Sequence, residues 1–249
     1  IGQLKGAAKM FETAVSIKPE YAEAHKNLGI TLRDLGQMDE AVKSLNKAIS
    51  AEPNNVDAHY NLAITLKDLN QSNSAIQSYR KAIEIKPDFA HAHNNLGNLY
   101  KDLGQTDKAL KSYRKAIEIK PDFAHAHNNL GNLYKDLGQT DKALESYRKA
   151  IEINPNFAQA HNNLGIIHLE RGQIDDAVKQ YEKAVAIKLD YAEAYHNLSY
   201  LKKYTENDPQ ITQMQSLLST SNLSQSDRIH LCFALAKVNK DLENQDKYF

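Results

Sequence analysis

The chain has 249 residues, and its 31 lysines and arginines are balanced by 31 aspartates and glutamates. That neutrality argues against a general binder of nucleic acid or of anionic membranes, which needs a basic surface. No apolar run approaches the roughly 18 residues of a membrane span. The single cysteine, Cys232, excludes an intrachain disulfide framework and a cysteine-based zinc site. One cysteine and no visible secretory leader lead us to expect a reducing, cytoplasmic setting. The chain opens mid-pattern, so the natural N-terminus is expected to lie further upstream.

The pattern is an internal repeat, which governs everything else. Pro19, Pro53, Pro87, Pro121 and Pro155 are each 34 residues apart, and the next step lands on Leu189. Residues 79–112 and 113–146 differ only in Lys111 against Glu145. With the proline at position 32 of a unit, residues 2–21 are the second half of one unit. Full units follow at 22–55, 56–89, 90–123, 124–157 and 158–191, and 192–205 starts another. The first domain is therefore read as 1–205, and 206–249 as a divergent segment.

The unit 90–123 predicts two amphipathic helices. Ala92, Leu96, Leu99, Tyr100 and Leu103 mark the first, and Ala109, Leu110, Tyr113, Ala116 and Ile117 the second. Gly104 at position 15 is placed to end the first helix in the left-handed region. Gly36, Gly138, Gly172 and Asn70 take the same place. Asp107 and Asp141 are expected to cap the second helices. Position 8 (Gly29, Ala63, Gly97, Gly131, Gly165, Ser199) and the alanines at 20 and 27 predict close helix contacts.

Leu at 7, a small residue at 8, Tyr or Leu at 11, Gly at 15, Ala at 20, Tyr or Leu at 24, Ala at 27 and Pro at 32 resemble the tetratricopeptide repeat over residues 2–205. The resemblance implies an all-α, right-handed superhelical solenoid, its concave face lined by first helices and its convex face by second helices. The chain departs from the family at position 4, where the usual Trp is replaced by His25, His59, His93, His127, His161 and then Tyr195.

Beyond Tyr204, Pro209 marks a turn, residues 210–219 predict a short helix and about 227–242 a longer one, the start of a degenerate, truncated repeat. Residues 195–249 also resemble the segment after the repeats in bacterial tetratricopeptide–sulfotransferase proteins, on Lys202-Lys203-Tyr204-Thr205, Asp208-Pro209-Gln210 and residues 227–237. The phosphosulfate loop of those enzymes is absent.

Little in the chain suggests catalysis. His91/His93 and His125/His127 are spaced i, i+2, on roughly opposite sides of a helix, which is wrong for one metal ion. The row at position 4 reads instead as packing in place of Trp. The glycines are isolated, so no phosphate loop exists. No catalytic residue, metal or cofactor is expected. Tyr-Arg-Lys at 79–81, 113–115 and 147–149 lies on second helices beside Glu84, Glu118 and Glu152. The spacing predicts Arg–Glu pairs at i, i+4 and a solvated convex face.

The concave face carries the candidate site. Position 6 is Asn27, Asn61, Asn95, Asn129, Asn163 and Asn197; position 5 adds Asn94, Asn128 and Asn162; position 9 adds Asn98 and Asn132; position 12 includes Lys101 and Lys135. A primary amide both donates and accepts, so a row of amides suits an extended peptide backbone of any sequence. The repeat arrays of certain glycosyltransferases, the O-GlcNAc transferase among them, resemble this with an asparagine ladder of their own. The chaperone-tail clamp of other family members is not present, since Lys26 is followed by Ile30, and His91 and Asn95 occupy its later positions.

Two readings of function follow: a non-enzymatic scaffold that binds protein or extended peptide in the groove, or the substrate-docking arm of a larger, sulfotransferase-like enzyme. Leu4, Ala7, Phe11 and Val15 of the first helix lack a partner helix on one side, so self-association through that helix is expected. Neither nucleic acid nor membrane is expected as a partner.

Overall fold

The computed structural model describes residues 2–246, which are helical throughout and contain no strand. The chain divides into two compact units, residues 1–122 and 123–249. The first unit holds α1 (Gly2–Ile17), α2 (Ala22–Asp34), α3 (Met38–Ala51), α4 (Val56–Asp68), α5 (Ser72–Ile85), α6 (Ala90–Asp102) and α7 (Thr106–Ile119). Within it α2/α3, α4/α5 and α6/α7 are tight antiparallel hairpins, and α1, α3 and α5 each pack on the first helix of the next hairpin. The second unit holds α8 (Ala124–Asp136), α9 (Thr140–Ile153), α10 (Ala158–Glu170), α11 (Ile174–Ile187), α12 (Ala192–Leu201), α13 (Pro209–Leu218) and α14 (Gln225–Asp246). Here α8/α9 and α10/α11 are the hairpins, and α14 packs on both α12 and α13.

The turn inside each hairpin follows from position 15. Gly36, Gly104, Gly138 and Gly172 have φ between 68° and 80°, and Asn70 has φ 59°. After α2, the Gly36 amide donates to the Arg33 carbonyl at 2.8 Å and the Gln37 amide to the Leu32 carbonyl at 2.9 Å. These are the two bonds of a Schellman ending, which satisfy carbonyls the helix leaves open. Asn70 reproduces them toward Lys67 and Leu66. The second helices begin differently from expectation. Gln105 and Gln139 stand at the N-caps of α7 and α9 and make no side-chain capping bond, while Asp107 and Asp141 lie inside the first turn. Their carboxylates therefore act on the helix dipole and not on a single amide.

Position 8 sets how closely each hairpin closes. A Cβ on Gly97 would lie 2.7 Å from the Tyr113 ring, and on Gly131 or Gly165 it would lie 2.6 Å from Tyr147 or Tyr181. Gly29 meets Leu45 in the same way, at 2.6 Å. Leu45, Tyr113, Tyr147 and Tyr181 at position 24 thus rest on bare backbone and Tyr79 stands opposite Ala63; all five are at most 1% exposed. The alanines at 20 and 27 complete the seam and are all inaccessible. Leu103 and Leu137, by contrast, are 41% exposed, because they fall at the helix end where the chain turns away from the core.

The histidines at position 4 do more than fill space. The Nε2 atoms of His25, His59, His93 and His161 lie 2.8–3.0 Å from the carbonyls of Pro19, Pro53, Pro87 and Pro155. Each ring therefore donates a hydrogen bond back to the proline that ends the preceding helix and fixes the turn between repeats. An apolar ring of similar size could not make this bond, which gives a physical reason for histidine at this position.

The C-terminal segment seals the second unit. Asp208 caps α13 through the Gln210 amide at 3.0 Å, with Pro209 in the first turn. Met214, Leu231, Ala234 and Val238 join Tyr195, Leu198 and Tyr204 in one core. Asp241 accepts from the Tyr204 amide and from Lys237.

Two outcomes follow from this packing. Gly131→Leu should destabilise the protein by about 1–3 kcal/mol in urea denaturation. Gly131→Ala should cost less, because Ala63 already occupies this position opposite the buried Tyr79; equal, negligible shifts would refute the contact. Burial holds the His93 and His196 imidazoles below their ordinary value, with Lys115 adding repulsion at the first and His230 at the second. The unfolded chain then takes up protons first, so stability should be level from about pH 7 to about pH 9 and fall as the pH drops below about 6.5. Thermal melts across that range measure it.

Candidate peptide-binding face

The first helices of each unit present the asparagines, half-buried at position 6 and buried at position 5. In the second unit the Asn163 Nδ2 donates to Asn128 Oδ1 at 3.1 Å and to Asn132 Oδ1 at 3.0 Å. One repeat later, Asn197 Nδ2 donates to Asn162 Oδ1 at 3.0 Å. In the first unit Asn95 Nδ2 donates to the Tyr60 hydroxyl at 2.9 Å. Tyr60 stands at position 5, so the rule is the same: position 6 of one repeat bonds to position 5 of the repeat before it.

Lys26 occupies position 5 of the first full repeat, and there the rule fails. Asn61 instead donates to the Asp57 carbonyl at 2.8 Å and accepts from Arg33 at 3.1 Å. Asn27 donates to Glu23 within its own helix. Asn94 donates to Asn95 at 3.2 Å, and Asn162 to Glu193 at 3.3 Å. Asn129 sits half-buried on α8, and Lys101 and Lys135 lie in the last turns of α6 and α8. Lys67 reaches Asp102 at 3.8 Å.

Asn98 and Asn132 have a second task. The Tyr113 hydroxyl donates to Asn98 Oδ1 at 2.8 Å, and the Tyr147 hydroxyl to Asn132 Oδ1 at 2.7 Å. In the fifth full repeat position 9 is Ile166, and the buried Tyr181 hydroxyl has no hydrogen-bond partner. Burial raises the Tyr147 and Tyr181 hydroxyls well above the ordinary phenol range, so both stay protonated donors.

One part of the face lies outside the sequence reading. His196 and His230 bring their Nδ1 atoms to 3.2 Å, with Phe233 and Tyr200 beside His196. The two histidines are 34 residues apart, so one more step of the period would have paired them. Among the described residues no group of three potential metal ligands occurs, and no helix is long and apolar enough to cross a membrane.

A family model described as the TPR repeat matches residues 31–69, 65–104, 97–138, 131–170 and 167–203. The chain belongs to the tetratricopeptide-repeat family. A crystal structure of MamA is similar at 32% identity, covering 66% of this chain and 96% of that one, with a TM-score of 0.58. PilF of Pseudomonas aeruginosa shares the fold at 20% identity and a TM-score of 0.70, over 85% of this chain and 96% of its own. YrrB, described as a TPR protein with an unusual peptide-binding site, shares the fold at 22% identity and a TM-score of 0.57, over 76% of this chain and 97% of its own. No curated protein matches the chain.

The tyrosine pairing in this TPR chain is directly testable. Tyr147→Phe deletes a buried bond and should lower stability by about 0.5–1.5 kcal/mol. Tyr181→Phe removes a hydroxyl that has no partner and should be neutral or stabilising. Urea denaturation of the two variants side by side distinguishes them, and equal losses would refute the assignment.

Proposed function

We propose that the protein is a non-enzymatic interaction scaffold whose first-helix face binds an extended segment of a partner protein through the asparagine ladder. The observation that carries this reading is the repeated bond from position 6 to position 5. It uses one amide hydrogen of Asn95 and of Asn197, while Asn163 donates to both Asn128 and Asn132 and keeps its carbonyl oxygen for a ligand, and it holds each side chain in one orientation. A primary amide has a second hydrogen and a carbonyl oxygen with two lone pairs. A row of amides fixed in this way meets a peptide backbone with little further loss of side-chain entropy. The repeated histidines and tyrosines are occupied in packing: the position-4 histidines on proline carbonyls, the position-24 tyrosines in the hairpin seams. YrrB, similar in fold, is described as having a peptide-binding site. Each unit carries its own stretch of the ladder, with Asn61 and Asn95 in one, Asn129 and Asn163 in the other.

The test is a peptide-array screen followed by calorimetric titration of the best binder. Each of Asn61→Ala, Asn95→Ala, Asn129→Ala and Asn163→Ala should weaken binding about 2- to 12-fold, one net hydrogen bond each. Because Asn61, Asn95 and Asn163 also bond to neighbouring first helices, the melting temperature should fall when any of these three is replaced, while helicity is retained. Unchanged affinity in the quadruple variant would show that the ladder serves the scaffold alone.

A further inference from the structure

On the opposite side of the first unit, the second helices α5 and α7 flank a groove of about 920 Å³ over α6. Its floor is apolar, formed by Ile83, Leu96 and Leu110 with the Tyr100 ring. Its walls carry five cations: Arg80, Lys108, Lys111, Arg114 and Lys115. Only Asp107 and Glu118 oppose them, so a chain with no net charge concentrates three positive charges here.

The sequence pattern predicts that Glu84 pairs with Arg80, and it does not. Glu84 takes Lys81 at 2.9 Å and Glu118 takes Lys115 at 2.6 Å, both at i, i+3. Arg80 instead donates to the Tyr100 hydroxyl at 2.9 Å, and Lys108 lies 5.5 Å from the centre of the same ring. Lys111 has no hydrogen-bond or ion-pair partner among the described residues. It is also the one position at which residues 79–112 differ from 113–146, where Glu145 replaces it.

We propose that this groove is a second docking site, independent of the asparagine face, for an acidic segment of a partner protein that places a large apolar side chain on the floor. The positive walls select a negatively charged partner, and an apolar floor rewards a side chain that a bare anion lacks. The groove is far larger than a phosphate. Its cations are spread along two helices and do not converge on one point, so they match charges distributed along a peptide.

The probe is a fluorescein-labelled peptide of alternating glutamate and leucine, followed by fluorescence anisotropy on the whole chain. Lys111→Glu introduces the residue the next repeat already carries, so the fold should tolerate it, and circular dichroism checks this. The variant should bind the peptide roughly tenfold more weakly, and affinity for the native protein should fall as salt rises from about 50 to 200 mM. A peptide with serine in place of leucine should bind several-fold more weakly. The quadruple asparagine variant should bind the acidic peptide as the native protein does, which separates this site from the other face. The proposal is overturned by unchanged affinity in Lys111→Glu, by equal binding of the serine peptide, by displacement with millimolar inorganic phosphate, or by tighter binding of a DNA duplex than of the peptide.

Discussion

The contact on which the rest of the structure depends is the ring at position 24 lying on the bare backbone at position 8. Where glycine stands there, as at Gly97, Gly131 and Gly165, no side chain separates the two helices. Burying a large side chain completely contributes roughly 1.5–3 kcal/mol, and α6/α7, α8/α9 and α10/α11 each make this contact once, with Leu45 on Gly29 and Tyr79 opposite Ala63 as its variants. Because a repeat buries its apolar face only against neighbours, the stability of such a chain is close to a sum of hairpin and interface terms. The second unit extends that logic beyond the regular repeats: α13 and α14 cover the last first-helix, α12, with a core built around Tyr195, Leu198 and Tyr204.

Polar groups then lock what the apolar seams bring together. The histidine at position 4 bonds the proline carbonyl across the inter-repeat turn, and the asparagine at position 6 bonds position 5 of the preceding repeat. Both are bonds between neighbouring repeats, so they fix the step from one hairpin to the next, whereas the glycine–tyrosine contact fixes the hairpin itself. The face proposed for binding is therefore also part of the scaffold. Change at the ladder alters the link between first helices, while change on the second-helix side, as in Lys111 against Glu145, alters surface charge without touching a seam.

Variation between repeats shows how these devices combine. Where position 9 is asparagine, the buried tyrosine hydroxyl of the same hairpin has an acceptor, as in Tyr113 with Asn98 and Tyr147 with Asn132. Where position 9 is Ile166, the Tyr181 hydroxyl is left without one. An apolar side chain at this position gains burial against the C-terminal core, where Ile166 packs, at the cost of an unsatisfied buried donor.

The sequence by itself determined the repeat length, the two helices of each repeat, the left-handed turn at position 15 and the small residues of the seams. All of these depend on neighbours within one hairpin, and helical periodicity with the special backbone freedom of glycine makes such neighbours legible. It also placed the asparagines on one face. What they bond to was decided only by the tertiary structure, since Asn163 reaches residues 31 and 35 positions away and Asn95 reaches one 35 away. The same holds for Glu84, which takes Lys81 while Arg80 turns to Tyr100, and for the His196–His230 contact between α12 and α14. Spacing along a helix says which side chains can meet, but the packing of the next helix supplies competing partners, and competition among partners decides which bonds form.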